Sequence, residues 1–138
     1  MLRMPLRTVV VVGLGYQAFA HWHLASNFDA VTGNGKPITI SEGDLFRAEA
    51  VAALIALVLL AVLPRRWTVL LALVVGAGGA AAVLLYRYVD VGAIGPFPNM
   101  YEPFWYPEKA WSVIAEGAAA VAAATLLVAG LRPRAGSS

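Results

Sequence analysis

Residues 45–63 read LFRAEAVAALIALVLLAVL, and residues 68–88 read TVLLALVVGAGGAAAVLLYRY. An α-helix needs about 20 mostly apolar residues to cross the hydrocarbon core of a bilayer, and each run reaches that length. Only residues 64–67, PRRW, separate the two runs, so the second helix must turn back directly against the first. The two runs therefore predict an antiparallel transmembrane hairpin.

Two further apolar stretches, residues 8–25 and 110–131, are also long enough to span a bilayer. Of the 138 residues, 60% are hydrophobic and 13% are charged. Soluble domains have about a quarter of their residues charged, so a soluble domain is excluded. The sequence predicts an all-α membrane protein, a single antiparallel four-transmembrane-helix bundle over residues 1–138, with long connections at residues 26–44 and 89–109.

The composition also excludes several classes of function. The chain has no cysteine and therefore no disulfide framework, thiolate zinc site, iron–sulfur cluster or cysteine nucleophile. Its net charge of +2 is too small to indicate nucleic-acid binding. The first partner that the sequence predicts is the lipid bilayer.

The basic residues predict how the bundle is oriented, because lysine and arginine accumulate in cytoplasmic loops. The acidic residues lie in the two long connections or in the adjoining halves of the helices. Six arginines flank the predicted helices at the opposite end: Arg3, Arg7, Arg65, Arg66, Arg132 and Arg134. We expect both termini in the cytoplasm, a multi-pass position in the plasma membrane, and a functional face on the extracytoplasmic side.

The first 20 residues allow a second interpretation, because a basic start, an apolar run and Ala18-Phe19-Ala20 resemble a cleaved secretory signal. Cleavage there would begin the mature chain at His21-Trp22-His23, a candidate amino-terminal copper site. It would also leave three spans, with Arg132 and Arg134 still requiring a cytoplasmic side. The uncleaved four-span arrangement is therefore favoured.

The first long connection contains the turn signal Thr32-Gly33-Asn34-Gly35, which predicts a short hairpin-like excursion. It ends in Ser41-Glu42-Gly43-Asp44. A serine hydroxyl and a carboxylate three residues later can both bind free N–H groups at a helix start, so this segment predicts a capping box for the second helix. Helix capping then accounts for Glu42 and Asp44.

The second long connection includes residues 95–109, GPFPNMYEPFWYPEK. Its four prolines exclude a regular helix, and Pro107 suits the first turn of the fourth helix. Five aromatic residues favour an interfacial belt, a docking surface for a partner, or a lid over a site. These aromatic residues are Phe97, Tyr101, Phe104, Trp105 and Tyr106.

Polar residues within the spans mark the candidate site, because ionisable groups in hydrocarbon are costly. At 1.5 Å per residue, His21, Glu49 and Glu116 lie about 21 to 24 Å from the arginine-rich end of their helices, in one layer. Gln17 shares the face of His21, and Arg87 lies somewhat higher. Small residues flank these positions, so the polar groups are expected to point inward, towards one another.

This layer has two interpretations. One is a structural network in which Arg87 or Arg47 neutralises the two glutamates. The other is a transition-metal site, whose imidazole and carboxylate donors suit iron, zinc or manganese, with copper if Met100 takes part. Residues two apart on a helix face different ways, so His21 and His23 share a metal only if the helix ends there. The candidate ligands are His21, His23, Glu49, Glu116, Met100 and Glu102.

The segment Ala20-His21-Trp22-His23-Leu24 is followed at residues 38–46 by ITISEGDLF and then by an Ala- and Leu-rich helix. This order resembles a group of small four-helix membrane proteins of GC-rich bacteria. They have a histidine-leucine segment at the end of the first helix and a Gly-x-Leu-Phe entry into the second. The resemblance covers the first half of the chain. It implies a bacterial four-helix membrane protein and implies no activity, because that group has no characterised function.

No nucleophile, phosphate-binding loop or thiol constellation is present in the sequence, which argues against an enzyme. We therefore expect a non-enzymatic accessory subunit that holds a protein partner or its own oligomer through the aromatic connection and the polar layer. The alternative is a metal-binding or redox-cofactor-binding membrane protein. Proton-coupled transport is less favoured, because four short spans leave a monomer little room for a pathway.

Overall fold

The computed structural model describes residues 3–32 and 40–131, and this part of the chain is helical. A 3₁₀ turn, Ser26–Phe28, follows the first helix. The four helices are α1 (Arg3–Ala25), α2 (Glu42–Val62), α3 (Arg66–Tyr88) and α4 (Pro107–Leu131). The predicted all-α class is confirmed. The predicted excursion around Gly33 and Asn34, and the arginines at positions 132 and 134, lie outside the described residues.

Helix α2 begins slightly before its apolar run because polar capping residues form its first turn. Ser41 Oγ accepts a hydrogen bond of 2.9 Å from the Asp44 main-chain N–H, and the Asp44 carboxylate accepts one of 3.3 Å from the Ser41 N–H. This reciprocal pair confirms the predicted capping box of α2. Pro107 is the first residue of α4, as its missing N–H and fixed φ favour.

The four helices pack in a ring, in which α1 contacts α2 and α4, and α3 contacts α4. The contact between α2 and α3 is much smaller, although only residues 63–65 connect them. The core takes residues from the first half of α1 and α3 and from the second half of α2 and α4, as expected for antiparallel neighbours. Its buried members are Val10, Leu14, Ala56, Leu60, Ala72, Ala119, Ala122 and Ala123.

Helices α1 and α4 approach each other closely at Gly13. A Cβ atom at this position would lie 2.6 Å from the main-chain oxygen of Ala115 and 2.9 Å from Cβ of Ala119. Membrane helices use small residues where their backbones meet in this way. Gly13 therefore sets the spacing between α1 and α4.

Three helices, α2, α3 and α4, are long and apolar enough to cross a membrane. Helix α1 has 23 residues but is the least apolar of the four. Its polar side chains Gln17 and His21 are buried inside the bundle, whereas Val12, Phe19 and Trp22 are exposed on its outer face. We call the end of the bundle with residues 63–65 the turn end, and the end with the two long connections the loop end.

The connection between α3 and α4, residues 89–106, is the aromatic loop. It is irregular apart from a tight turn in which Ile94 and Phe97 exchange two main-chain hydrogen bonds. Gly95 in this turn has a φ of +57°, which favours glycine. The ε-ammonium of Lys109 donates hydrogen bonds to the carbonyl oxygens of Glu102 (2.8 Å) and Phe104 (3.1 Å). These bonds fix the loop against the first turn of α4.

Candidate functional site

Three ionisable residues from three helices meet inside the loop-end half of the bundle: His21 of α1, Glu49 of α2 and Glu116 of α4. One ligand atom from each lies within 4.8 Å of the other two. His21 is 6% exposed and Glu116 is 0% exposed, while Glu49 is half-buried. We call these three residues the carboxylate cluster.

His21 is held in one tautomer by its own helix. Its Nδ1 atom lies 2.9 Å from the main-chain oxygen of Gln17. A carbonyl oxygen can only accept a hydrogen bond, so Nδ1 carries the proton and donates it. The Nε2 atom of the neutral imidazole is therefore left with a free lone pair, and it lies 4.0 Å from Oε2 of Glu49.

Each glutamate of the cluster is oriented by one neighbouring side chain. Gln17 Nε2 donates a hydrogen bond of 2.8 Å to Oε1 of Glu49 and one of 3.3 Å to the main-chain oxygen of Val75. Ser112, one turn before Glu116 on α4, donates a hydrogen bond of 2.8 Å to its Oε1. Sequence reasoning missed Ser112, although its spacing of four residues from Glu116 places it on the same helix face.

Helix α3 contributes space to the cluster rather than a ligand. A Cβ atom at Gly79 would lie 2.6 Å from Nε2 of Gln17 and 3.0 Å from Cδ of Glu116, and it would also collide with the carboxylate of Glu49. Glycine at position 79 therefore allows three polar side chains to meet beside α3. The sequence signal for this space is the glycine-rich run Gly76-Ala77-Gly78-Gly79.

The cluster holds more negative charge than its neighbours neutralise. Oε2 of Glu116 is fully buried and accepts no hydrogen bond. Within the described ranges, the ion-pair contacts of Glu49 and Glu116 are both with His21, at 4.0 and 3.7 Å, and none is with lysine or arginine. A buried carboxylate without a countercharge is costly, so this position favours a bound cation or proton.

The two arginines that the structural interpretation of the layer invokes, Arg87 and Arg47, lie away from the cluster. The Arg87 guanidinium stacks over the rings of Tyr88 at 4.8 Å and Trp105 at 5.5 Å. Arg87 lies two turns beyond Gly79 along α3, about 12 Å nearer the loop end, where aromatic side chains surround it. The structural ion-pair network therefore lacks its cation in the part of the chain that the structure describes.

Arg47 instead joins the segment after α1 to the first turns of α2. Its guanidinium donates hydrogen bonds of 2.7 and 2.9 Å to the two carboxylate oxygens of Asp29. This bidentate contact holds the pKa of Asp29 below its ordinary value. Arg47 also lies 3.4 Å from Asp44.

The other predicted metal ligands do not join the cluster. His23 is exposed on the opposite face of α1, where its ring stacks on Phe19 at 5.5 Å. Glu102 forms an ion pair of 3.3 Å with Lys109 at the loop end. Met100 lies in the aromatic loop and lines a cavity beside the cluster. Among the histidine and acidic candidates, the ligand set is thereby reduced to His21, Glu49 and Glu116.

A cavity of about 660 Å³ extends from the cluster towards the loop end, between α2, α3 and the aromatic loop. His21 and Glu49 line it, and so does Glu42, which is only 6% exposed. The prediction that capping accounts for Glu42 was wrong, because Asp44 supplies the capping carboxylate and the Glu42 side chain lies against the cavity. Burial raises the pKa of Tyr106, another lining residue, so its phenol stays neutral.

The aromatic loop divides its aromatic residues between the cavity and the outer surface. Phe97 and Tyr106 line the cavity, as a lid would. Phe104 is 72% exposed, and Tyr101 and Trp105 are also exposed, as a membrane-interface belt or a docking surface would be. The loop therefore presents different aromatic residues to the cavity and to the surroundings of the bundle.

The donor set of the cluster is one neutral imidazole nitrogen and two carboxylates, a mixture that binds divalent zinc, manganese or iron. The hydrogen bonds from Gln17 and Ser112 to the glutamates, and from His21 to a main-chain oxygen, resemble those that orient metal ligands in proteins. Comparisons of the chain with protein-family models, with curated proteins and with solved structures give no match.

Proposed function

We propose that this is an integral membrane protein that binds a divalent transition-metal ion through His21, Glu49 and Glu116. The observation that carries the proposal is the approach of one donor atom from each residue to within 4.8 Å of the others. Oε2 of Glu116 has no hydrogen-bond partner there. A divalent ion would neutralise both carboxylates at once, and zinc, manganese and iron suit this donor set.

The hydrogen bonds around the cluster support a metal site more than a simple buried acid pair. Metal-binding histidines almost always donate their second ring N–H to a carbonyl or carboxylate, as His21 does to Gln17. Glu49 and Glu116 each accept one oriented hydrogen bond and keep one oxygen free of such a bond. All three side chains are thus positioned with a donor atom left for the ion.

The proposed site lies in a four-span bundle of the plasma membrane. Support for α1 as the fourth span is its length of 23 residues and its apolar outer face, since its polar side chains are turned inward. Arg3, Arg7, Arg65 and Arg66 lie at the turn end. The positive-inside rule then assigns the turn end and both termini to the cytoplasm, and the metal site to the extracytoplasmic half.

Elemental analysis of protein purified in mild detergent tests the metal proposal. We expect about one zinc, manganese or iron ion per chain, and loss of that ion in His21→Ala and Glu116→Gln variants. His23→Ala is the matched control, because this histidine is exposed on the opposite face of α1, and it should keep the metal. A folded wild-type protein without stoichiometric metal, or a His21→Ala variant that retains it, would contradict the proposal.

An accessory or interaction role is the second candidate, and the exposed aromatic residues Tyr101, Phe104 and Trp105 favour it. In this role, the aromatic loop would hold a protein partner or a second copy of the chain. Chemical cross-linking in native membranes, followed by gentle solubilisation, tests it. We expect a cross-linked species that a Phe104→Ser, Trp105→Ser double variant no longer forms, and a clean monomer in both proteins would count against this role.

A further inference from the structure

The cavity opens sideways, between α2 and α3. These two helices are joined at the turn end, contact each other little, and line the cavity with their loop-end halves. Ala52 of α2 and Val74 and Gly78 of α3 are exposed and also line the cavity. The aromatic loop covers its loop-end side. If α2 and α3 cross the bilayer, this mouth faces the lipid chains.

The length and volume of the cavity are those expected for one small organic molecule. Its lining residues run along α2 from Glu42 to Ala52 and along α3 from Val74 to Tyr86. At 1.5 Å per residue, these stretches are about 15 and 18 Å long. The volume of about 660 Å³ falls within the range of cavities that hold one small-molecule ligand.

Two acidic residues that form no ion pair with a described lysine or arginine face this apolar space. Glu42 and Glu49 are seven residues apart on α2, so they lie two turns apart on one face, with Phe46 between them. Glu42 as a whole residue is 6% exposed, and its carboxylate forms no hydrogen bond or ion pair with the described residues. Burial of that group without a partner is unfavourable unless a ligand compensates for it.

The remaining charges on the cavity wall do not balance these two acids. Lys109 also lines the cavity, but its ammonium is committed to Glu102 at 3.3 Å and to two main-chain oxygens. The lining therefore carries three carboxylates, of Glu42, Glu49 and Glu102, against one ammonium and the imidazole of His21. Aromatic residues complete the wall, and their ring faces attract cations. The aromatic lining residues are Phe46, Tyr86, Phe97 and Tyr106.

We propose that the cavity between α2 and α3 binds an apolar organic cation, such as an aromatic or alkyl ammonium or phosphonium, that enters from the lipid phase. Glu42 and Glu49 supply the countercharge, and the aromatic wall supplies apolar and cation–π contacts. Glu42 lies outside the carboxylate cluster, so the cation site does not depend on the proposed metal. Because Glu49 belongs to both sites, metal and organic cation are expected to weaken each other's binding.

Two probes of nearly the same shape and opposite charge test the proposal directly. Binding of tetraphenylphosphonium and of tetraphenylborate to the full chain in lipid nanodiscs is measured by equilibrium dialysis, with empty nanodiscs subtracted. We expect saturable binding of one phosphonium per chain and no saturable binding of the borate. Equal binding of both ions would overturn the proposal, because apolar contact alone would then explain the binding. Binding of neither ion would overturn it as well.

Glu42→Gln should weaken phosphonium binding at least about tenfold, because it removes a buried charge partner. Its matched control is Glu108→Gln, an exposed acid in the first turn of α4 that should bind like wild type. Unchanged binding by Glu42→Gln would overturn the assignment. Glu42→Gln should also keep its metal, whereas His21→Ala should lose metal and still bind phosphonium, so the two proposals fail separately.

Filling the lateral mouth gives a second variant that does not alter charge. A Cβ atom at Gly78 meets nothing within 4 Å, so Gly78→Leu should fold and project its side chain into the opening. We expect it to weaken phosphonium binding at least about tenfold, or to slow binding by a similar factor. Ala77→Leu on the neighbouring exposed position is the control. Wild-type binding and rates in Gly78→Leu would overturn the lateral entry.

Discussion

Nδ1 of His21 donates a hydrogen bond of 2.9 Å to the main-chain oxygen of Gln17, one turn earlier in α1. This bond fixes which ring nitrogen can bind a metal, because the protonated Nδ1 has no free lone pair. The same carbonyl oxygen belongs to the helix backbone, so the ring cannot rotate without breaking the bond. The ligand atom of His21 is therefore set by the fold of α1 before any ion binds.

Nitrogen NMR of histidine-labelled protein should report this tautomer. We expect Nδ1 of His21 to carry a proton, and zinc to shift the Nε2 resonance of His21 while leaving both His23 nitrogens unchanged. His21→Ala assigns the signals, and His23→Ala provides the matched control. A zinc-induced change at Nδ1 of His21, with Nε2 unaffected, would refute the assigned ligand atom.

Gly79→Ala should disrupt the carboxylate cluster. The added Cβ would meet Nε2 of Gln17 at 2.6 Å and Cδ of Glu116 at 3.0 Å, so both side chains must move. Losing an oriented support of a metal ligand typically lowers metal affinity about 10- to 100-fold, and we expect a loss of that size in a zinc competition titration.

Gly78→Ala is the matched control for this change, because its Cβ meets nothing within 4 Å. The two variants add the same methyl group to adjacent positions of α3 and change helix propensity equally. Equal zinc affinities in Gly78→Ala and Gly79→Ala would show that the space beside Gly79 does not matter for the site.

The sequence allowed much of this site to be predicted, because helix geometry converts residue number into depth. A rise of 1.5 Å per residue was enough to assign His21, Glu49 and Glu116 to one layer before their distances were known. The capping box of α2 was equally accessible, because Ser41 and Asp44 interact only with local backbone. Sequence patterns predict an interaction well when the two interacting residues lie within one or two helical turns of each other.

The direction of long side chains and the distance between helices could not be predicted from the sequence in the same way. Arg87 has a long side chain that reaches the aromatic loop, and Trp105 lies far from it in sequence. Glu42 was assigned to the helix cap because a sequence pattern does not show which of two nearby acids turns outward. The cavity itself results from weak contact between α2 and α3, a relation between backbones that no short motif encodes.

The Asp29–Arg47 ion pair should make the thermal stability of the protein depend on pH in the acidic range. Because the folded-state pKa of Asp29 is below its ordinary value of 3.8, the pair stabilises the fold above that pH and its contribution is lost as the pH falls through the folded pKa. We expect Asp29→Asn to lower the thermal midpoint at pH 7, with the difference from wild type shrinking as the pH falls below 3.8 and disappearing below the lowered folded-state pKa.

The effect should be small, because the pair is exposed to solvent. Glu108→Gln, which also removes one exposed acid, controls for net charge. If the difference between Asp29→Asn and wild type were constant from pH 7 to pH 3, titration of Asp29 would not be its cause.

Gly13→Ala should destabilise the whole bundle by forcing α1 and α4 apart. Its Cβ would meet a main-chain oxygen, Ala115 O, at 2.6 Å, and backbone atoms cannot move aside as a flexible side chain can. Overpacking of this kind costs about 1 to 3 kcal/mol, which we expect as a lower free energy of unfolding in a detergent unfolding titration. Gly15→Ala is the control, because its Cβ would only touch Leu57 Cδ1 at 3.5 Å, an ordinary contact. The same free energy of unfolding in both variants would mean that α1 and α4 are not spaced by Gly13, and the depth match between His21 and Glu116 would then need a different cause.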